Sequence, residues 1–413
     1  MKSRERVLAA INHKEPDRVP IDIGATLQTG IHAIAYTKLK EHLGIKGGHT
    51  RIHDVGQQLA EIEDEMLDYF KADCLDVGRV FTDSDEEWYD VEVNGIQAQF
   101  PRTFKPRFNP DGSVDVCRHD GKVVARMSAA ALVIDQVYYP IEDDYPDNSQ
   151  LLLSILMKNA ITMIPPPFNH LGERGFWRNL KRRAIELKNN SERALMLMGG
   201  ISFFQFMTAY KKMDKVLVDI IRYTNKVDKF LDILMEFQLA SLSLTSKYLG
   251  DTIDIIVFGD DYGENNGPIF SPRLFKKLFK PRIEAACDYV KKHTKWKIFF
   301  HSCGAIAPII PDLIEIGIDI LNPVQINAKG MNPKFLKEEF GDDITFWGGG
   351  ADTRHVLNFK SPPEVKEHVT NLLEIFAPGG GYVWNTVHNI LPDVPPENIV
   401  AALEAVHEYN EKN

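Results

Sequence analysis

The chain has 413 residues, 44% hydrophobic and 26% charged, with a formal net charge of −10. That is enough chain for one large domain or two medium ones with a core that needs no staples. The acidic balance argues against a nucleic-acid surface, which would be basic. Four cysteines (Cys74, Cys117, Cys287 and Cys303) show no CxxC pair or regular spacing, which argues against a disulfide framework and for a reducing compartment. The N-terminus has no apolar run after its charges, and no stretch of 18 uncharged apolar residues occurs anywhere. The expectation is therefore a cytoplasmic protein with no signal peptide and no membrane span.

In chain order, β-rich apolar runs stand at 19–23, 75–80, 195–201, 254–259, 297–301, 318–321, 344–347 and 382–384. Helical patterns separate them. Ser271-Pro272 opens one helix with an N-cap and a proline in its first turn. Ser361-Pro-Pro-Glu364 opens another as a capping box, and Pro378-Gly379 stops it. Alternating strands and helices predict an α/β fold with a parallel sheet, and eight strands close a (β/α)8 TIM barrel. The stretch 84–190 breaks the alternation. Residues 87–100 and 113–126 alternate apolar with polar, and Asn94-Gly95 and Asp120-Gly121 are hairpin-turn pairs. This predicts an antiparallel β/helical insertion between the second and third strands. Its later part, 146–188, reads as a helical lid or a docking surface. The chain then divides into 1–83 (N-terminal helix and first barrel strands), 84–190 (insertion) and 191–413 (remainder of the barrel).

The candidate chemistry sits after the strands, on the face where barrels carry their sites. His301-Ser-Cys303-Gly304 places a histidine and a cysteine two apart at a strand end, able to share one metal. His388 follows the last strand and can complete a His/Cys/His set with an open fourth position, or bind substrate. Asp260, Asp261 and Glu264 follow the run at 254–259 as ligand, acid/base or anchor for a histidine. Gln325 can hydrogen-bond substrate or loop backbone. Trp347-Gly348-Gly349 offers a backbone that can turn around an anion, and Asp22 ends the first strand.

Taken together, 4–12 with Pro16-Asp-Arg-Val-Pro20, Asp260-Asp261, Ile269-Phe-Ser-Pro272, His301-Ser-Cys-Gly304, Asn322-Pro323 and Pro395-Pro-Glu-Asn398 resemble the uroporphyrinogen decarboxylase family. That family includes decarboxylases and methyltransferases that work with corrinoid proteins. The decarboxylases carry arginines in the loop after the first strand, and 24–30 here has none. They also carry an aspartate after the second strand. The matching place here falls near Val80, with Asp83 the nearest acid beyond it. The methyltransferase branch carries a zinc motif matched by His301 and Cys303, with His388 where its third ligand is a cysteine.

The resemblance therefore implies a zinc-dependent methyltransferase of the corrinoid-linked branch. His301, Cys303 and His388 are its metal ligands, and Asp260 and Glu264 are additional candidates. Asp261 and Gln325 orient the reactants. Asp22, Trp347, Gly348 and Gly349 bind substrate. Its partners are a corrinoid protein and a small methyl donor or acceptor such as a thiol or folate, with a homodimer left open. Two alternatives stand beside it: a metal-free decarboxylase or lyase of a small carboxylate or tetrapyrrole, and a catalytically idle binder.

Overall fold

The computed structural model describes residues 1–159 and 164–412. Seven short strands form one curled parallel sheet. From edge to edge they are Tyr382–Val383, Thr345–Trp347, Ile320–Asn322, Lys297–His301, Ile255–Gly259, Ala194–Met198 and Cys74–Asp76. The register pairs Gly259 with His301 and His301 with Asn322, so these strand ends lie level. Helices between the strands bury the outer face. Their predicted starts hold: Ser271 accepts the Leu274 N–H at the head of Pro272–Leu278, and Ser361 with Glu364 forms a capping box on Pro362–Phe376.

Side chains alternate across a strand, so every second residue faces the interior. Cys74, Ala194, Met196, Ile255, Val257, Phe299, Ile320, Trp347 and Val383 form an inner apolar cluster with Val7, Ala10 and Ile11. The helix Ser3–Ala10 thus plugs the end where the strands begin. Two residues on from Phe299, Ile320 and Cys74, the same alternation points His301, Asn322 and Asp76 into the opposite mouth.

The predicted first strand, 19–23, is reduced to one bridge, Ile21 to Trp384. Pro20 has no N–H, and the N–H groups of Val19 and Ile21 go to side chains, Asn410 Oδ1 (2.8 Å) and Asp73 Oδ2 (2.9 Å). A continuous ladder cannot form there. The segment still meets both sheet edges: Trp384 N–H donates to Pro20 O (2.9 Å), and Asp73 N–H donates to Ile21 O (2.7 Å).

The predicted strand 75–80 is also shorter. It is Cys74–Asp76, after which the chain turns through the 3-10 segment Val77–Phe81, with Gly78 N–H on Asp76 Oδ1 (2.9 Å). The strand therefore ends at an acid, Asp76, and not near Val80.

The stretch after it holds the expected antiparallel structure. One hairpin pairs Trp88–Val93 with Ile96–Pro101, and Asn94 and Gly95 turn it with φ of 51° and 76°. A four-stranded sheet combines Arg107–Phe108, Val114–Cys117, Val123–Met127 and Asp135–Gln136. Their inner faces make an apolar cluster of their own, centred on Phe100, Phe104, Val116 and Met127. The helices Ser149–Asn159 and Phe176–Asn190 occupy the part read as helical; residues 160–163 of it lie outside the described residues. A second antiparallel sheet, of Ile31–His32, Ile52–Asp54 and Leu59–Ala60, was not foreseen: its strands are too short to show a period. All four cysteines are free, and no described helix is long and apolar enough to cross a membrane.

Candidate functional site

His301 ends its strand with its side chain in the mouth and is buried. Its Nδ1 lies 2.5 Å from Asn322 Oδ1. The orientation of the Asn322 amide is fixed from its other end, where Nδ2 donates to the Trp347 carbonyl oxygen (2.9 Å). Oδ1 is thus the atom facing the imidazole, so Nδ1 carries a proton and Nε2 is the nitrogen left for a ligand. Nε2 faces Cys303 Sγ at 3.4 Å and Asp261 Oδ1 at 3.6 Å. A histidine held in this way is the arrangement that metal-ligating imidazoles use.

Cys303 is placed by the turn that follows the strand. Its N–H donates to Asp261 Oδ1 (2.8 Å), and the Gly304 N–H donates to Gln325 Oε1 (2.8 Å). Gly304 has φ +90°, and a Cβ there would stand 2.3 Å from the Gly263 carbonyl carbon. Only glycine lets the 303–304 turn lie against the loop from Gly259 to Glu264. Burial and the Asp261 carboxylate push the Cys303 thiol well above its ordinary pKa.

His388 closes the group from the loop after Tyr382–Val383. One ligand atom from each of His301, Cys303 and His388 lies within 4.8 Å of the others, and the two imidazole centroids are 5.3 Å apart. His388 Nδ1 accepts the Asn389 N–H (2.8 Å). Asn389 is itself pinned: Gly30 N–H donates to its Oδ1 (2.7 Å), and its Nδ2 donates to Leu27 O (3.0 Å). Burial, reinforced by the neighbouring His301, lowers the His388 pKa to about 4. The ring is therefore neutral at physiological pH.

Two imidazoles and a thiol fit a borderline-soft divalent cation such as zinc. His301 fits as it stands, and Cys303 fits once the metal displaces its thiol proton. His388 fits by distance, and ligation there exchanges a proton on Nε2 or the Asn389 hydrogen bond on Nδ1 for the metal. The group can hold a metal.

The other sequence candidates divide. Asp261 belongs to the site: besides Cys303 it accepts Gln205 Nε2 on Oδ2 (2.7 Å). Gln325 supports the Cys303 turn, with its Nε2 donating to Asn265 and Asn327. Asp260 is saturated. It accepts the backbone N–H groups of Phe203, Phe204 and Gln205 and the Tyr262 hydroxyl, all at 2.7–2.8 Å, and burial raises its pKa to about 6. It caps the helix Phe204–Tyr210 and has no oxygen to spare for a metal. Glu264 is exposed.

Asp22 and Trp347 hold each other, Nε1–H to Oδ2 at 2.8 Å, and both are fully buried. Gly348 and Gly349 donate to Val383 O (3.1 Å) and Pro323 O (2.9 Å), which leaves those N–H groups none for an anion. Sequence reasoning missed the orienting role of Asn322, and it missed Gln205, Asn389 and Asp76 altogether. Only Asp76 carried a signal: Gly78 interrupts the apolar run at 75–80, so the strand had to end at or before it.

The family model for uroporphyrinogen decarboxylase matches residues 187–409, more than half of the chain and all three members of the His/Cys/His group. The chain belongs to the uroporphyrinogen decarboxylase family. Within that family, a uroporphyrinogen decarboxylase of Pseudoalteromonas translucida is 42% identical over 82 residues, covering 20% of this chain and 22% of the relative. One of Serratia proteamaculans is 44% identical over 76 residues, covering 18% and 21%. The chain thus matches only about a fifth of the length of these relatives. A solved structure, a methyltransferase from Methanosarcina mazei, superposes with a TM-score of 0.59 over 99% of both chains at 16% identity, which establishes a shared fold.

Proposed function

We propose that this uroporphyrinogen decarboxylase family member is a zinc-dependent methyltransferase. It would move a methyl group between a corrinoid on a partner protein and a small acceptor such as a thiol or folate. The observation that carries the reading is the convergence of His301, Cys303 and His388 ligand atoms within 4.8 Å at the mouth. When bound, zinc lowers the pKa of a coordinated thiol, so that a thiolate is present at neutral pH.

The chain supplies the rest. Asn322 keeps the His301 proton on Nδ1. Asp261 and Gln325 hold the Cys303 turn, and Asp261 also fixes Gln205 beside it. Methyl transfer is an in-line displacement, so this fixed placement of both reactants is the main contribution the protein can make. In this reading the fold is a (β/α)8 barrel whose first strand is reduced to the 19–23 segment. Residues 84–190 form an insertion between 1–83 and 191–413.

A second reading, a metal-free decarboxylase of a small carboxylate, draws support from one observation. An aspartate, Asp76, does stand at the end of the strand Cys74–Asp76, in the mouth. The missing arginine in 24–30 still weighs against a porphyrinogen substrate.

Elemental analysis of protein purified without chelators, beside Cys303→Ser, separates the two readings. About one zinc per chain, lost in the variant, together with methyl transfer from a methyl-corrinoid to a thiol, is expected. A wild type that stays metal-free after zinc is offered, and releases CO2 from a carboxylic acid, overturns the first reading in favour of the second.

A further inference from the structure

A buried polar atom in the mouth lacks a partner among the described residues. It is Oδ1 of Asn385, a residue only 1% exposed. Its place follows from the sheet. Level pairs join His301 to Asn322, Leu321 to Phe346 and Trp347 to Val383. Val383 belongs to the inner apolar cluster, so Asn385, two residues on, faces the mouth, as Cys303 does two residues on from His301. Gly348 and Gly350 donate to the carbonyl oxygens of Val383 and Asn385 (3.1 and 2.9 Å), so the pairing still holds at that height. Asn385 therefore shares a layer with Cys303, and His388 follows it on the same loop.

The amide has one orientation. Nδ2 donates to the Asp22 carbonyl oxygen (3.0 Å), an atom that can only accept, so Oδ1 is the free end. A buried carbonyl oxygen without a donor is costly, and the groups around it offer none. The Asp22 carboxylate is itself an acceptor, taken by the Ala25 N–H (3.1 Å) and Trp347 Nε1–H (2.8 Å). Asn389 commits its Nδ2 to Leu27 O (3.0 Å) and Gln57 Oε1 (3.1 Å). Gln28 Oε1, in the loop 24–30, is likewise buried without a donor, and that loop holds neither arginine nor lysine. This wall of the mouth accepts hydrogen bonds and carries no cation.

We infer that Asn385 Oδ1 receives a hydrogen bond from the small reactant, which therefore carries an uncharged N–H or O–H group, a hydroxyl or an amide, and no acid group at that end. The inference deepens the methyltransferase reading and rests on it only for the other end of the reactant, the thiol that the metal would hold. A buried acceptor discriminates strongly, because an analogue that lacks the donor leaves it unpaired. An acid group would be set against Asp22 with no cation to receive it. The selection is the reverse of what arginines in 24–30 would give.

The test titrates the whole chain with small thiols by calorimetry. Mercaptoethanol, mercaptopropanol and mercaptobutanol are compared with propanethiol, butanethiol and pentanethiol, in which a methyl group replaces the hydroxyl, and with mercaptopropionate and mercaptobutyrate. At least one alcohol should bind about tenfold tighter than its matched alkanethiol, and the acids should bind more weakly than the alcohols. Asn385→Leu, similar in volume but with no acceptor, should erase the alcohol's advantage. Asn385→Asp, which keeps an acceptor and adds a charge, should turn it into a preference for cysteamine. Alcohols that bind no better than their alkanethiols in the wild type, an acid that binds tightest, or an advantage that survives Asn385→Leu overturns the proposal, and the first two need no variant to fold. Cys303→Ser separates this inference from the metal reading. Alcohol binding that persists there, still dependent on Asn385, removes the thiol anchor and leaves the Asn385 assignment standing. Thiols that bind the wild type without any alcohol preference and are lost in Cys303→Ser support the metal reading and overturn this one.

Discussion

Asn322→Ala tests how the candidate metal group is held. The change deletes the acceptor that fixes the His301 proton on Nδ1 and the donor to the Trp347 carbonyl oxygen, two buried hydrogen bonds of 2.5 and 2.9 Å. Leaving His301 Nδ1–H and the Trp347 carbonyl unpaired costs roughly 1–3 kcal/mol of stability. Partners that orient a ligating histidine are worth about 10- to 100-fold in metal affinity, or about 1.4–2.7 kcal/mol. Asn322→Asp separates the two effects. It keeps an acceptor for Nδ1–H, and a stronger one, but sets a carboxylate against the Trp347 carbonyl. Both variants should therefore melt below wild type, while only the alanine variant loses zinc affinity. The assay is competition against a chromophoric chelator, with melting followed by circular dichroism. Equal affinity losses in the two variants, or none in the alanine variant, would falsify the argument that Asn322 sets the His301 tautomer.

Three further outcomes are expected. Glu61 has a folded pKa of about 7, above its unfolded value, so its stabilising contribution is present at low pH and is lost as pH rises through 7. The melting advantage of Glu61→Gln over wild type should accordingly grow from pH 5 to pH 8, reaching about 3 kcal/mol; an advantage flat across that range contradicts the assignment. Gly304→Ala places a Cβ 2.3 Å from the Gly263 carbonyl carbon at φ +90°, so metal content should fall together with stability, by about 1–3 kcal/mol; full metal content at an unchanged melting temperature counts against the close packing of those two loops. Asp260→Asn keeps the size but removes the charge that accepts three backbone N–H groups and the Tyr262 hydroxyl. It should cost about 2–4 kcal/mol while leaving the zinc stoichiometry of folded protein unchanged; lost stoichiometry would make Asp260 part of the metal group.

Much of this architecture is written in local signals. The strands from 194 onward are short β-rich runs bounded by helix caps, and such runs are legible because nothing competes with burial on both faces. The hairpin at Asn94-Gly95 is legible because its turn demands two positive φ values. The reading slips where a run of apolar residues outlasts its strand, as at 75–80, or where proline and side-chain acceptors replace the ladder, as at 19–23. His301 and Cys303 stand out as candidates because two ligand types stand at a strand end. Asp260 and Asp261 were indistinguishable in sequence, yet one is buried under four donors and the other faces the site. The direction of a side chain after a strand end depends on which loop arrives opposite, and that is a tertiary fact. The same holds for His53 and Glu61, which meet Asp76 only because an unforeseen sheet folds over the mouth.

The hydrogen bonds around the mouth also form a belt. His301 is tied to Asn322, Asn322 to Trp347, Trp347 to Asp22, and Asp22 to Trp384. The link between Trp347 and Asp22 spans 325 residues of chain. Loop-closure entropy for such a contact is met only after the intervening strands have assembled. The belt as a whole therefore closes only when the two ends of the sequence have met, whereas the Asn322 link that orients His301 lies within residues 301–347 and can form before that. A refolding chain should therefore set His301 before it closes the belt through Asp22.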